Sequence, residues 1–158
     1  MTSDQRFLDF ARELDCDFSG EIRIGGNYVP IAQDGRQLFV SGQIPRIGDR
    51  VLYVGVAGAD IDLDGARKAA AICAMRGLAL LQRRLGSLEA VGGVLRITVF
   101  VRSAPDFTQQ SEVADGASDA IARVLGPRGA HSRTSVGVLQ LPKGAVVEVD
   151  LIASLADA

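Results

Sequence analysis

The sequence predicts an α+β fold: a two-layer sandwich in which a mixed β-sheet carries two helices on one face, with an extra helix at the N-terminus. Three observations predict it. Strand-like and helix-like stretches follow one another as strand pair, strand, helix, strand, helix, strand pair, an order that lays helices over one sheet. Residues Val94 to Val101 are the most apolar strand, which suits a central position. The two helical stretches are Ala-rich and can pack close to a sheet. A chain of 158 residues is one domain by length, long enough for a real core. It divides into a helical extension over 1–20 and a single α+β domain over 21–158.

Each element has a local reason. Residues 3–15 carry Phe7, Leu8, Phe10, Ala11 and Leu14 as an apolar stripe, with Ser3 or Asp4 as cap. Tyr28 to Ala32 and Gln37 to Ser41 read as two strands reversed at Asp34-Gly35. Gly42 then permits either close approach of a ligand to the backbone or a tight corner in the strand. Residues 50–56 read as a further strand. Asp64 is placed to cap a helix over 65–85 that Gly86 closes. Arg67, Lys68, Arg76, Arg83 and Arg84 are interspersed along it and read as a solvated outer face.

After the central strand, Ala104-Pro105-Asp106 breaks the chain. A second amphipathic helix follows over 108–125, through Val113, Ala117, Ala120, Ile121 and Val124. Residues 131–153 read as a β-hairpin with its turn at Pro142 to Ala145, Arg133 on the first arm and Glu148 on the second. Side chains alternate between faces, so Val136, Val138, Val147, Val149 and Leu151 cannot all point at the helices. Self-association would bury the remainder.

Composition narrows the function. A net charge of −2 and an aromatic content of 5% count against a nucleic-acid partner, which needs a basic surface or stacking rings. Gly55-Val-Ala-Gly58 lacks the Lys-Ser/Thr of a phosphate loop. A single His excludes a His-rich metal site, and Cys16 and Cys73 sit in no ligand pattern, so no metal site is expected. Cys73 reads as a small buried hydrophobe. The polar start of the chain has no signal-like core, and no run approaches the ~20 apolar residues of a membrane span. The expectation is a cytoplasmic protein that does not bind membranes.

Among side chains able to do chemistry, Arg133 offers a planar fork suited to a carboxylate. Alone, an Arg on a strand reads as a surface ion-pair partner. Glu148, set among Val146, Val147 and Val149, reads alone as a solvent-facing strand residue, with a partly desolvated carboxyl of raised pKa as the alternative. Ser41 has only His131 as a candidate base, a weak basis for a hydrolase. If 131–153 is a hairpin, Arg133 and Glu148 lie roughly 13–17 Å apart and meet only across subunits.

Tyr28, the run Leu38-Phe-Val-Ser-Gly-Gln-Ile-Pro45, Arg133, Leu141-Pro-Lys143 and Val147-Glu-Val149 together resemble the reactive intermediate deaminase (Rid, or YjgF) family. The likeness runs from about Asn27 onward. It implies a chorismate mutase-like sandwich assembled as a homotrimer with clefts between subunits. It also implies hydrolysis of reactive 2-imino or enamine acids to 2-oxo acids and ammonia, without metal or organic cofactor. Arg133 would hold the substrate carboxylate and Glu148 would orient the attacking water. Tyr28, Ser41, Gly42, Gln43, Ser135 and Pro142 would line the pocket, with His131 as a further neighbour that tunes it or merely packs. The alternative is a trimer that binds small carboxylate metabolites without turning them over. Two positions depart from the family pattern. Ala104-Pro105 stands where deaminases carry Asn, and Ser135 where Cys is frequent.

Overall fold

A computed structural model describes all residues, 1–158. The helices are α1 (Ser3–Glu13), α2 (Leu63–Leu85) and α3 (Gln110–Leu125). The strands are β1 (Ile31–Asp34), β2 (Gln37–Gln43), β3 (Arg46–Ile47), β4 (Arg50–Val51), β5 (Val91–Arg102), β6 (Ser132–Val138) and β7 (Val147–Leu155). Five of the strands form one mixed sheet in the order β1-β2-β7-β5-β6, while β3 and β4 make a separate ribbon. The α+β sandwich with an added N-terminal helix is therefore as the sequence predicts.

The hairpin is not. β6 and β7 do not pair with each other, because β5 lies between them, antiparallel to β7 and parallel to β6. The parallel pair is joined through α3, the crossover that parallel strands require. β5, apolar along most of its length, takes a central place with neighbours on both edges, as Val94 to Val101 implies. Four boundaries also move. The N-cap of α2 is Asp62, whose side chain accepts from the Gly65 amide at 2.7 Å, and Asp64 falls in the first turn. α1 is capped by Thr2, not by Ser3 or Asp4. The predicted strand 50–56 is reduced to β4, and the first strand begins at Ile31, leaving Tyr28 in the preceding bends.

The core lies between the sheet and the α2–α3 layer. Leu38 and Val40 of β2, Val147, Val149 and Leu151 of β7, and Ile97, Val99 and Val101 of β5 all point into it. Each such side chain contributes roughly 1.5–3 kcal/mol of burial. A methyl group at Gly77 of α2 would sit 2.9 Å from Leu151 Cδ2, so a bare backbone sets how close helix and sheet come. The opposite sheet face bears Phe39, Phe100, Glu148, Asp150, Ile152 and Val136, and no layer of this chain covers it. Phe39 and Val136 are each 39% exposed there. α1 packs on the helix layer: Phe7 meets Phe18 edge-on at 5.7 Å, and Arg6 Nε donates to the Val124 carbonyl at 2.8 Å. No helix is long and apolar enough to cross a membrane.

Candidate functional site

A cleft of about 110 Å³ opens beside the end of β2, the first turn of β7 and the middle of α2. The irregularity that makes room for it is a register shift between Val40 and Gln43, where β2 leaves the ladder of β7. Gly42 sits in that shift. A Cβ there would run into Glu148 Oε1 and stand 3.0 Å from Glu148 Cδ, so the missing side chain is what seats the carboxyl. Gly42 is thus a strand irregularity, and the close approach it permits is that of the Glu148 side chain.

Glu148 is half-buried and accepts no hydrogen bond from the protein. Burial pushes its pKa up, and the charge of Asp150 on the same strand face adds to the rise. Tyr28, Gly42, Gln43, Pro142 and Glu148, five of the residues singled out in the sequence, line this one cleft. Gln43 is 5% exposed and acts mainly inside the wall, its Nε2 donating to the Ser41 carbonyl at 2.9 Å.

Arg133, Ser135, Ser41 and His131 do not line it. Arg133 stands on edge strand β6 in register with Ile97, and Ile97 with Leu151. Two strand spacings and three residues of rise put it about 14 Å from Glu148, on the opposite sheet face. The separation expected between the two residues stands, although β5, not the length of a hairpin arm, produces it. Around Arg133 is a second polar cluster. Its Nη1 donates to Asp115 Oδ1 at 2.8 Å and to Ser118 Oγ at 3.0 Å, and its Nη2 to Ser111 Oγ at 2.9 Å. His131 Nε2 lies 2.9 Å from Ser118 Oγ and its Nδ1 2.6 Å from the Gly129 carbonyl. The carbonyl must accept from Nδ1–H, which leaves Nε2 to accept from the serine. His131 thus pairs with Ser118 and not Ser41. Ser41 Oγ donates to the Val29 carbonyl at 2.8 Å and anchors the segment that carries Tyr28. Ser135 shares the helix-facing side of β6 with Arg133.

The cleft also holds residues the sequence reading passed over. Arg76, read as part of a solvated face, is 4% exposed. It lines the cleft together with Arg23, Arg46 and Lys143. Its Nε donates to Gln43 Oε1 at 3.2 Å and its Nη1 to the Arg46 carbonyl. The signal was its place in the chain: Arg76 is the one charged residue in the run Ala69–Leu81, all of which is buried.

The family model described as "YjgF/chorismate_mutase-like, putative endoribonuclease" matches residues 17–155. The chain belongs to the Rid/YjgF family. Protein TCP17 of Trypanosoma cruzi is 45% identical over 130 residues, covering 82% of this chain and 81% of its own. Among solved structures, protein Atu1372 of Agrobacterium tumefaciens is 36% identical with a TM-score of 0.85, over 97% of this chain and 94% of that one. A "putative endoribonuclease" from Shewanella oneidensis is 26% identical with a TM-score of 0.90, over 98% and 100%. The E. coli YjgF gene product, at 22% identity and a TM-score of 0.59 over 88% and 95%, shares the fold. Rid/YjgF membership accounts for the sheet order and for the resemblance of the Leu38–Pro45 and 141–149 segments. It does not account for the four cations around the cleft.

Proposed function

We propose that this Rid/YjgF protein hydrolyses small 2-imino acids, or their enamine tautomers, at a cleft completed by a second copy of the chain. The observation that carries the reading is the convergence of Tyr28, Gly42, Gln43, Pro142 and Glu148 on one cleft, with the Glu148 carboxyl desolvated and unpartnered. A carboxyl with a raised pKa is suited to exchange protons near neutrality. Arg133 stands too far away to serve the Glu148 of its own chain. It lies on an edge strand, where a neighbour can dock, and the uncovered sheet face supplies the apolar surface for association.

In the reaction, the neighbour's Arg133 holds the substrate carboxylate through Nε–H, the one donor its own α3 leaves free, in a charge-assisted hydrogen bond. A water held by Glu148 attacks C2, the π electrons of C=N pass to nitrogen, and the carboxylate takes the water's proton. That proton returns to nitrogen to give the carbinolamine. Glu148 then takes the hydroxyl proton and passes it to the amine nitrogen, and as the C=O forms the C–N bond breaks, releasing ammonia and the 2-oxo acid. Positioning and proton transfer suffice, because no group of the protein forms a bond to the substrate.

The test is release of 2-oxobutyrate from 2-iminobutyrate, formed in place by threonine dehydratase. Native protein is expected to accelerate release, and Arg133→Ala and Glu148→Gln each to abolish the acceleration. Mixed and reassembled, the two inactive variants should recover roughly a quarter of native activity, since random pairing restores one intact site in four across a heterologous interface. Equal rates with and without native protein would overturn the reading. A binder of carboxylates would instead keep its affinity in Glu148→Gln.

A further inference from the structure

We infer that the cleft carries a second oxyanion site, built by Arg76 and Lys143, so that the natural substrate bears an anionic group besides the carboxylate at C1. The inference rests on the deaminase reading for the word substrate; the anion site itself rests on geometry alone.

Arg76 makes no ion pair with any carboxylate of the chain, although it is almost wholly buried. Two of its nitrogens are used inside the wall, Nε by Gln43 and Nη1 by the Arg46 carbonyl. Nη2 has no protein partner, and the only fully enclosed side-chain polar atom without one is Arg102 Nε, so Arg76 Nη2 is within reach of solvent. Arg76 lines both this cleft and a much narrower crevice of about 10 Å³ beside Asp17 and Glu21, and only the cleft has room for a ligand group. The surroundings make its charge costly: burial and the nearby Arg46 and Arg83 cations push its pKa down. A buried charge without a counter-ion is retained at high cost, and an anion in the cleft removes that cost.

Lys143 supplies the second cation. It too has no ion-pair partner, and it sits at φ 60°, a conformation that L-residues with side chains seldom adopt. The loop is held in this shape by Arg102, whose Nη1 donates to the Gly144 carbonyl at 3.2 Å. The other two cations at the cleft are already compensated. Arg23 Nη1 lies 2.8 Å from Asp49 Oδ1, and Arg46 Nη2 lies 3.7 Å from the same atom. The anion therefore falls to Arg76 and Lys143, and the room available restricts it to the end group of a small metabolite. A carboxylate or a phosphate has the required chemistry.

The measurement is calorimetric titration of the full-length chain with butyrate, succinate and 3-phosphoglycerate. One doubly anionic ligand is expected to bind about tenfold or more tighter than butyrate, the effect of one added charge-assisted contact. Preference for succinate assigns a carboxylate, and preference for 3-phosphoglycerate a phosphate; both support the site. Arg76→Gln should remove most of that advantage. Lys143→Gln, a loop substitution that leaves the core intact, should remove part of it even if Arg76→Gln unfolds. If both double anions bind no tighter than butyrate, or if neither variant narrows the gap, the inference fails. Turnover of 2-iminobutyrate, which has a single carboxylate, tests the deaminase reading separately. Its success with no double-anion preference sinks only the anion site. A double-anion preference lost in Arg76→Gln, with no turnover of any imine, sinks only the chemistry.

Discussion

Arg76 of α2 and Arg133 of β6 are both guanidinium groups held by contacts within one chain, yet the chain treats them in opposite ways. Arg133 is saturated at both Nη nitrogens: Asp115, Ser118 and Ser111 of α3 take those donors and leave Nε free, and Asp115 balances its charge. Arg76 is more deeply buried and is given only neutral partners, a Gln amide and a backbone carbonyl. A saturated arginine is oriented before anything binds, with its remaining edge aimed by three fixed contacts. An uncompensated one is a standing demand for an anion. The contrast teaches that burial alone does not rank functional cations; what matters is whether the protein itself supplies the counter-charge.

The largest effect on this contrast comes from the one carboxylate in the cation-lined cleft. Glu148→Gln is expected to lower imine turnover by about 100-fold or more, the scale of lost acid–base assistance. It also has a pH signature. The folded state holds the Glu148 proton more tightly than the unfolded chain does, so native stability declines as pH rises from the ordinary glutamate range through the elevated one. Asp150, likewise raised by burial, adds to that decline. Urea midpoints taken across this range should fall with pH in native protein and fall less in Glu148→Gln. A native profile that climbs instead would contradict the desolvated carboxyl.

Gly42→Ala should be intermediate. The added methyl displaces the end of a flexible side chain rather than backbone. Stability is therefore expected to change by less than about 1 kcal/mol, whereas turnover drops roughly tenfold through misplacement of the carboxyl. Unfolding of the variant, with native turnover per folded molecule, would show that Gly42 serves only the strand. The smallest effect belongs to the saturated cluster. Ser118→Ala removes one of several partners of Arg133 and the hydroxyl facing His131, so affinity for a monocarboxylate should weaken by about 0.5–1.5 kcal/mol. If instead it weakens as much as in Arg133→Ala, Ser118 itself touches ligand.

Much of this was legible in the chain, and the failures have physical causes. The helices were marked by apolar periodicity and by Gly86, and β5 by its apolar run, all local signals. The partner of a strand is not local. Eight residues, 139–146, separate β6 from β7, enough for a wide turn but with nothing to force one. Both arms looked able to pair with each other because each also pairs well with β5. Asp62 and Asp64 are both good caps, and only the geometry of the preceding loop chooses between them. For the site, Tyr28, Gly42, Pro142 and Glu148 were legible through the family likeness. Arg76 was missed because its charge was read as a mark of exposure, when twelve apolar or small neighbours in sequence argued the reverse.

The place of β7 has a consequence for how this protein is made. It is the last strand in the chain, yet it joins the β1–β2 pair to the β5–β6 pair. During synthesis both halves of the sheet must therefore wait, each with an open edge, until β7 emerges and slots between them. The same segment brings Glu148. A nascent chain cut short before β7 thus lacks the joining strand and the cleft carboxyl together, so completing the sheet and arming the cleft are one event.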